Sequence, residues 1–326
     1  MQIIVGIDIG GTKCAISFAK YHDNQLEILD KVWELTKQDD FNKAVEQFIH
    51  IIRSKLEQEK DWHLCAIGIS CGGPLNSKKG LILAPPNLPY WDQVDIYTPL
   101  KAAFHVPVAM QNDADACALA EWKLGAGQGT SNMIFLTFGT GMGAGLILNN
   151  QLYTGCSNMA GEVGHIRLQE DGPFGYGKNG SFEGFCSGGG IADLGKREAK
   201  KAILEGNPPC FCKDLSELSE ITAKKIAEAL IKKDPVANQI YQKVGKFLGR
   251  GLSVLIDILN PERIILGSIF YRQQDVLEPI MWEVIKKEAL AYSYESCQIV
   301  PAALGEMLGD YAALSVGMNA YLDACK

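Results

Sequence analysis

Near the N-terminus, Asp8-Ile9-Gly10-Gly11-Thr12-Lys13 sets one carboxylate, two glycines, a hydroxyl and an ammonium side by side. The chemistry available to that set is a grip on phosphate and metal. The glycines free the backbone to approach a ligand, and the side chains add charge of both signs. A second stretch, Phe138-Gly139-Thr140-Gly141-Met142-Gly143-Ala144-Gly145, has the same Gly/Thr character. A third, Gln111-Asn112-Asp113-Ala114-Asp115-Ala116, offers Asp113 as a carboxylate that can take a proton. Each has a plain alternative: Gly-Gly between strands is a standard hairpin turn, and Asn or Asp before a helix is a typical cap.

Apolar runs must position these residues. Ile3 to Ile7 and Cys14 to Phe18 predict two buried strands around the first turn; Met133 to Leu136 and Leu146 to Leu148 predict two more around the second. Two copies of one unit, facing each other across a cleft, would grip one nucleotide from both sides. Leu26 to Leu35 predicts a third strand, and Asp40 to Lys60 has helical spacing at Phe41, Ala44, Val45, Phe48, Ile51, Ile52 and Leu56. The strand Leu64 to Ser70 runs into Cys71-Gly72-Gly73-Pro74. Gly68-Ile69-Ser70-Cys71-Gly72 matches the G-x-S-x-G nucleophile elbow formally, but that elbow must open into a helix, which Gly72-Gly73-Pro74 opposes. A glycine loop at a strand's end is better placed to meet a ligand.

Ala84-Pro85-Pro86-Asn87-Leu88-Pro89-Tyr90-Trp91 reads as a stiff loop presenting the Asn87 amide. Helices are expected at 190–205, 222–232, 235–259 and 311–324, with a short strand at 263–266 closed by Gly267-Ser268.

Composition narrows the partners. With 326 residues the chain is long enough for two domains, and 47% hydrophobic with 21% charged residues is ordinary for a globular protein. The net charge of −7 comes without any Lys/Arg block, which disfavours nucleic acid and anionic membrane. No signal-like segment precedes the first strand, so a cytoplasmic location is expected. Ten cysteines are mostly scattered singly in apolar segments, with no disulfide framework.

The ordered series of motifs resembles the ROK family of bacterial sugar kinases over nearly the full length. It comprises Asp8 to Lys13, Pro86 to Trp91, Asn112 to Ala116, Gly139 to Gly143, Gly161-Glu162-Val163-Gly164-His165, Asn260-Pro261 through Gly267, and Gly309-Asp310-Tyr311-Ala312. The resemblance implies an α/β, two-domain, actin-like (ribonuclease-H-like) ATPase fold with duplicated β-hairpin phosphate turns. It places residues 1–115 plus 311–326 in a smaller domain and 116–310 in a larger one, with the active site in the cleft. It implies ATP and Mg²⁺ as cofactors, a small sugar as substrate, and a homodimer. Asp113 would be the general base. Gly72, Gly73, Asn87, Asn112, Glu162, His165 and Glu183 would hold the sugar. Asp8, Gly10, Gly11, Thr12, Lys13, Gly139, Thr140, Gly141 and Gly267 would bind ATP, with Asp8 reaching the metal through water.

The chain departs from the family pattern where many members bind a structural zinc. Phe174, Tyr176 and Ser181 stand at the three cysteine positions, so no zinc is expected there. Packing by Phe174 and Tyr176 would stabilise the loop instead. Cys186, Cys210 and Cys212 are left as an open alternative for a metal. Ser268 stands where the family often has a further glycine.

Glucose is the expected substrate. N-acetylmannosamine, N-acetylglucosamine, fructose and allose are the alternatives, and a non-catalytic sugar sensor is a further one. A repressor with an N-terminal helix-turn-helix is disfavoured by the strand starting at Ile3, and an actin- or chaperone-like ATPase by the hydroxyl-binding set.

Overall fold

The computed structural model describes residues 1–175 and 177–325. Strand β1 (Gln2–Ile9) alternates its buried side chains between two cores. Ile3, Val5, Ile7 and Ile9 meet α1 (Phe41–Gln58) and α2 (Tyr97–Phe104), while Ile4 meets the C-terminal helix Leu308–Ala324. Being covered on both faces, β1 needs no polar side. It pairs antiparallel with β2 (Lys13–His22) and parallel with β4 (His63–Cys71). The sheet runs β3 (Gln25–Leu35), β2, β1, β4 and then the strand Val108–Gln111. Because β4 is followed by an irregular glycine loop and not a helix, the rejected nucleophile elbow stays rejected.

Glycine decides how close the C-terminal helix comes. A Cβ on Gly6 would lie 2.7 Å from the Leu314 amide nitrogen, and one on Gly68 would strike the backbone at Ala313 and Gly317. The helix therefore rests directly on the sheet backbone at those points. Asp40 caps α1 by accepting from the Lys43 amide at 3.0 Å, and the buried stripe Ala44, Val45, Phe48 and Ile52 matches the spacing read from the sequence.

The chain forms two compact units, one of residues 1–131, 145–160 and 303–326, the other of 132–144 and 161–302. These limits differ from the sequence-based boundaries for a physical reason. A cut after residue 115 would split α3 (Asp113–Leu124), which packs on the C-terminal helix, and a cut at 310 falls inside that helix.

In the second unit, Arg263–Leu266 lies parallel between Met133–Leu136 and Gln298–Pro301. The short α4 (Phe182–Phe185) leads into α5 (Gly188–Leu204), followed by α6 (Ala223–Ile231), α7 (Pro235–Leu259) and α8 (Ser268–Glu288). Phe185 of α4 stacks on Phe247 of α7 with ring centroids 3.5 Å apart. Helix α8 escapes periodicity reading because it breaks at Gln273 and carries Pro279 inside. Among the described residues no helix is long and apolar enough to cross a membrane.

Candidate active site

In the first unit, the Asp8 turn has its carbonyl side occupied. Thr36 Oγ1 donates to the Gly10 carbonyl at 2.7 Å, the Thr36 amide to Thr12 O at 3.0 Å, and Gln38 Nε2 to Gly11 O. The Gly10 amide is turned inward to Lys13 O at 3.2 Å, so the Gly11 and Thr12 amides are what the turn has to offer an anion. Asp8 shares its strand parity with Ile4 and Gly6, and so points toward the start of the C-terminal helix. A Cβ on Gly309 would sit 3.9 Å from Asp8 Oδ2.

Asp8 belongs to an acidic cluster. Its carboxyl is pushed up to about 6, first by burial and then by the charges of Asp113 and Asp310, against the pull of Lys31 and the Ser70 hydroxyl. Lys31 is a site residue that sequence reading passed over. Its ammonium lies 2.5 Å from Asp310 Oδ1 and 3.8 Å from the Trp33 ring centroid, and Lys13 lies over the same ring at 4.2 Å. No sequence signal links Lys31 to Asp310, since only folding brings β3 to the C-terminal helix.

Asp113 opens α3. Solvent reaches it, yet protein surrounds it closely, and the loss of hydration raises its carboxyl above the usual range while a bond from its own amide pulls the other way. Asn112 fulfils its plain alternative as the N-cap: Oδ1 accepts from the Asp115 amide at 2.8 Å, and Nδ2 donates to Asp115 Oδ2 at 3.0 Å.

The 84–91 loop is as stiff as its prolines imply. The Ala84 amide donates to Trp91 O at 2.9 Å and the Leu88 amide to Pro85 O at 2.8 Å, with Leu88 and Trp91 fully buried. Trp91 anchors the loop through Nε1 to Lys37 O at 3.2 Å. Asn87 stays exposed and lies between two glycines of the predicted set. A Cβ on Gly11 would fall 2.9 Å from Asn87 Cβ, and one on Gly72 would fall 3.2 Å from Asn87 Oδ1. Gly73 has open space around it.

The second unit repeats the turn logic. Across Thr137–Gly143, the Thr137 amide donates to Gly143 O at 2.9 Å and the Gly143 amide to Thr137 Oγ1 at 2.8 Å. The carbonyls at the tip face helix N-termini. Ile269 N–H and Ser268 Oγ donate to Phe138 O at 2.8 and 3.2 Å, and Gly188 N–H donates to Gly139 O at 2.7 Å. Ser268, the departure from the family's usual glycine, thus holds the turn from behind. Gly267 sits just before α8, where a Cβ would lie 3.1 Å from Leu136 O.

A cavity of about 630 Å³ opens beside Gly139 and Thr140. Gly188, Thr222, Lys224, Tyr241 and Arg272 contribute to its wall. That volume suits a small-molecule ligand. Sequence reading missed these five; the run Ser187-Gly188-Gly189-Gly190, a cap followed by glycines, was the available signal for Gly188.

Glu162 and His165 lie on the segment stitched to the phosphate turn by the Ala144 amide, which donates to Gly161 O at 2.7 Å. His165 is exposed and Glu162 half-buried. Glu183, on α4, accepts from the Met142 amide at 2.9 Å. The Cys186 thiol donates to Val244 O inside the core, whereas Cys210 is exposed and its amide donates to Asp234 at the start of α7; among the described residues no group of three or more His, Cys, Asp or Glu is placed to hold a metal. Phe174 is 61% exposed and does not pack as expected; Tyr176 lies outside the described residues.

The chain is similar to known proteins over most of its length. The model described as ROK family matches residues 4–316. The chain is 31% identical over 292 residues to a glucokinase of Streptomyces coelicolor, covering 86% of each. It is 28% identical to a xylose repressor of Caldicellulosiruptor bescii, covering 81% of this chain and 65% of that one. A ROK family glucokinase from Streptomyces griseus, solved in complex with glucose and AMPPNP, superposes with a TM-score of 0.73 at 27% identity, covering 97% of this chain and 99% of the other. The fold is that of the actin-like ATPases, as the resemblance implies.

Proposed function

This chain belongs to the ROK family, and we propose that it is an ATP-dependent hexose kinase that phosphorylates the 6-hydroxyl of glucose, with Asp113 as general base. The observation that carries the reading is Asp113 itself: a carboxyl raised by its surroundings at the head of α3, with Asp8 close enough to feel its charge. A base whose pKa lies nearer the working pH drives proton transfer better than an ordinary aspartate.

In this reading the Thr137–Gly143 turn and the adjoining cavity take the nucleotide, with Gly267 near the adenosine. The Asp8 turn, with Gly10, Gly11, Thr12 and Lys13, takes the transferred phosphate. Asn87, Asn112, Glu162, His165 and Glu183 fix the sugar hydroxyls, with Gly72 and Gly73 beside them. The donor chemistry fits Mg²⁺: Asp8 is a carboxylate that feels the charges of Asp113 and Asp310, and hard cations prefer oxygen. When bound, Mg²⁺ supplies neutralisation of phosphate charge. Homodimer assembly and a cytoplasmic setting belong to the same proposal.

A panel of glucose, fructose, mannose, N-acetylmannosamine and N-acetylglucosamine with Mg-ATP tests the substrate, read as sugar-dependent ADP release. Glucose is expected to give the highest kcat/KM; activity confined to another sugar would keep the kinase and replace its substrate. The similarity to a xylose repressor favours one second reading, a sugar sensor. Sugar binding without turnover across the panel would select it.

The Asp8 carboxyl gives a pH prediction. Because its pKa is raised to about 6, it is protonated below that pH and loses its attraction for a cation. Affinity for Mg-AMPPNP is expected to fall as pH drops from 7 to 5, by about fivefold over the last unit as the ionised fraction declines. Asp8→Asn should bind weakly throughout with a flat profile over this range, as titration calorimetry would show. An unchanged slope in the variant would assign the effect to another group.

A further inference from the structure

Resting on the kinase reading, we infer that Glu183 is a positioning residue for the phosphate turn as well as a sugar ligand, so that one carboxylate joins the two ligand sites. The geometry lies within the second unit. Glu183 Oε2 accepts the Met142 amide at 2.9 Å, at the tip of the Thr137–Gly143 turn. The same oxygen lies 2.8 Å from where a Cβ on Gly141 would stand, so Gly141 is the residue that admits the carboxylate. Behind it, a Cβ on Gly164 would fall 3.2 Å from Glu183 Cβ and against the Met142 carbonyl, which packs the Glu162–His165 segment into the same joint.

Glu183 is itself fixed. The Ser181 hydroxyl accepts from the Gly184 amide at 3.0 Å, and the Phe182 amide donates to Ile166 O at 2.8 Å. Phe182 and Phe185 on either side are buried. A charged acceptor on a backbone amide is among the stronger hydrogen bonds, and here it restrains a glycine-rich turn that would otherwise sample many conformations. Loosening the turn costs nucleotide affinity because ordering must then accompany binding.

The test is Mg-AMPPNP binding by calorimetry to the intact protein without sugar, where a sugar ligand has nothing to contribute. Glu183→Ala is expected to weaken binding about tenfold. Glu183→Gln keeps an oxygen that can accept the Met142 amide and should stay within about threefold of the unmodified protein, while still losing sugar affinity through its lost charge. Glu183→Asp, one methylene short, should behave as Glu183→Ala, and it serves if the alanine variant fails to fold. Gly141→Ala, which displaces the carboxylate, should cost a similar factor and add little to Glu183→Ala. Unmodified protein that binds the nucleotide, with the Ala and Asp variants equal to it, would overturn the positioning role alone. No nucleotide binding by the unmodified protein would overturn the kinase reading and this inference with it.

Discussion

Asp113→Asn is expected to leave the fold, the sugar affinity and the nucleotide affinity close to those of the unmodified protein while kcat falls about 10²–10⁴-fold, the usual contribution of a positioned base. Asparagine keeps the size and the helix-start preference of aspartate, so α3 should begin as before with Asn112 as its cap. What it lacks is a lone pair basic enough to accept a hydroxyl proton. The raised carboxyl also sets the pH behaviour: activity of the unmodified enzyme should fall on acidification as Asp113 becomes protonated. The residual rate of Asp113→Asn should not follow that titration. Loss of sugar affinity equal to the loss of rate would instead make Asp113 a ground-state ligand.

Gly68→Ala should be among the most damaging single substitutions for stability. The new methyl would stand 2.8 Å from Gly317 Cα and would collide with the Ala313 carbonyl and Gly317 amide, which are backbone atoms and cannot rotate away. The C-terminal helix would have to lift from β1 and β4, uncovering Ile4, Ala66, Leu314 and Met318. Overpacking in well-packed interiors typically costs 1–3 kcal/mol, and a backbone collision belongs at the top of that range, about 3 kcal/mol. Out of a total stability of about 5–15 kcal/mol that is a large fraction. Urea unfolding would measure it. Gly73→Ala, with nothing within 4 Å of its Cβ, is the control and should stay within about 0.5 kcal/mol. Equal effects at the two positions would refute the close-contact explanation. Because the same helix carries Asp310, Gly68→Ala should weaken cation binding as well, although it touches no site residue directly.

Local chemistry was legible wherever neighbours in sequence decide it. Alternating or continuous apolar runs placed β1 to β4, and Asp40 with its following stripe placed α1, because strand and helix periods depend on adjacent residues. The Asn112 cap reading was also open to inspection, since a cap is a contact across three residues. Long-range partnerships were not. Nothing near Lys31 announces Asp310, and nothing near Glu183 announces the Met142 amide. Trp91 illustrates the same limit: the loop sequence presents Asn87, but only folding shows that Trp91 anchors the loop from inside, buried against Phe41 with ring centroids 5.2 Å apart. The compact units part at other residues than the expected boundary near 115 for a related reason, because the attachment of α3 to the C-terminal helix is a tertiary contact that composition cannot reveal.

The most direct measurement follows the γ-phosphate of ATP by phosphorus NMR in the presence of Mg²⁺ and glucose, for the unmodified protein and for Asp113→Asn. A hexose kinase should convert it stoichiometrically to a sugar 6-phosphate resonance, and the variant should do so at least about 10²-fold more slowly. Release as inorganic phosphate at the same rate with and without any sugar would contradict the account, as would equal rates in the two proteins.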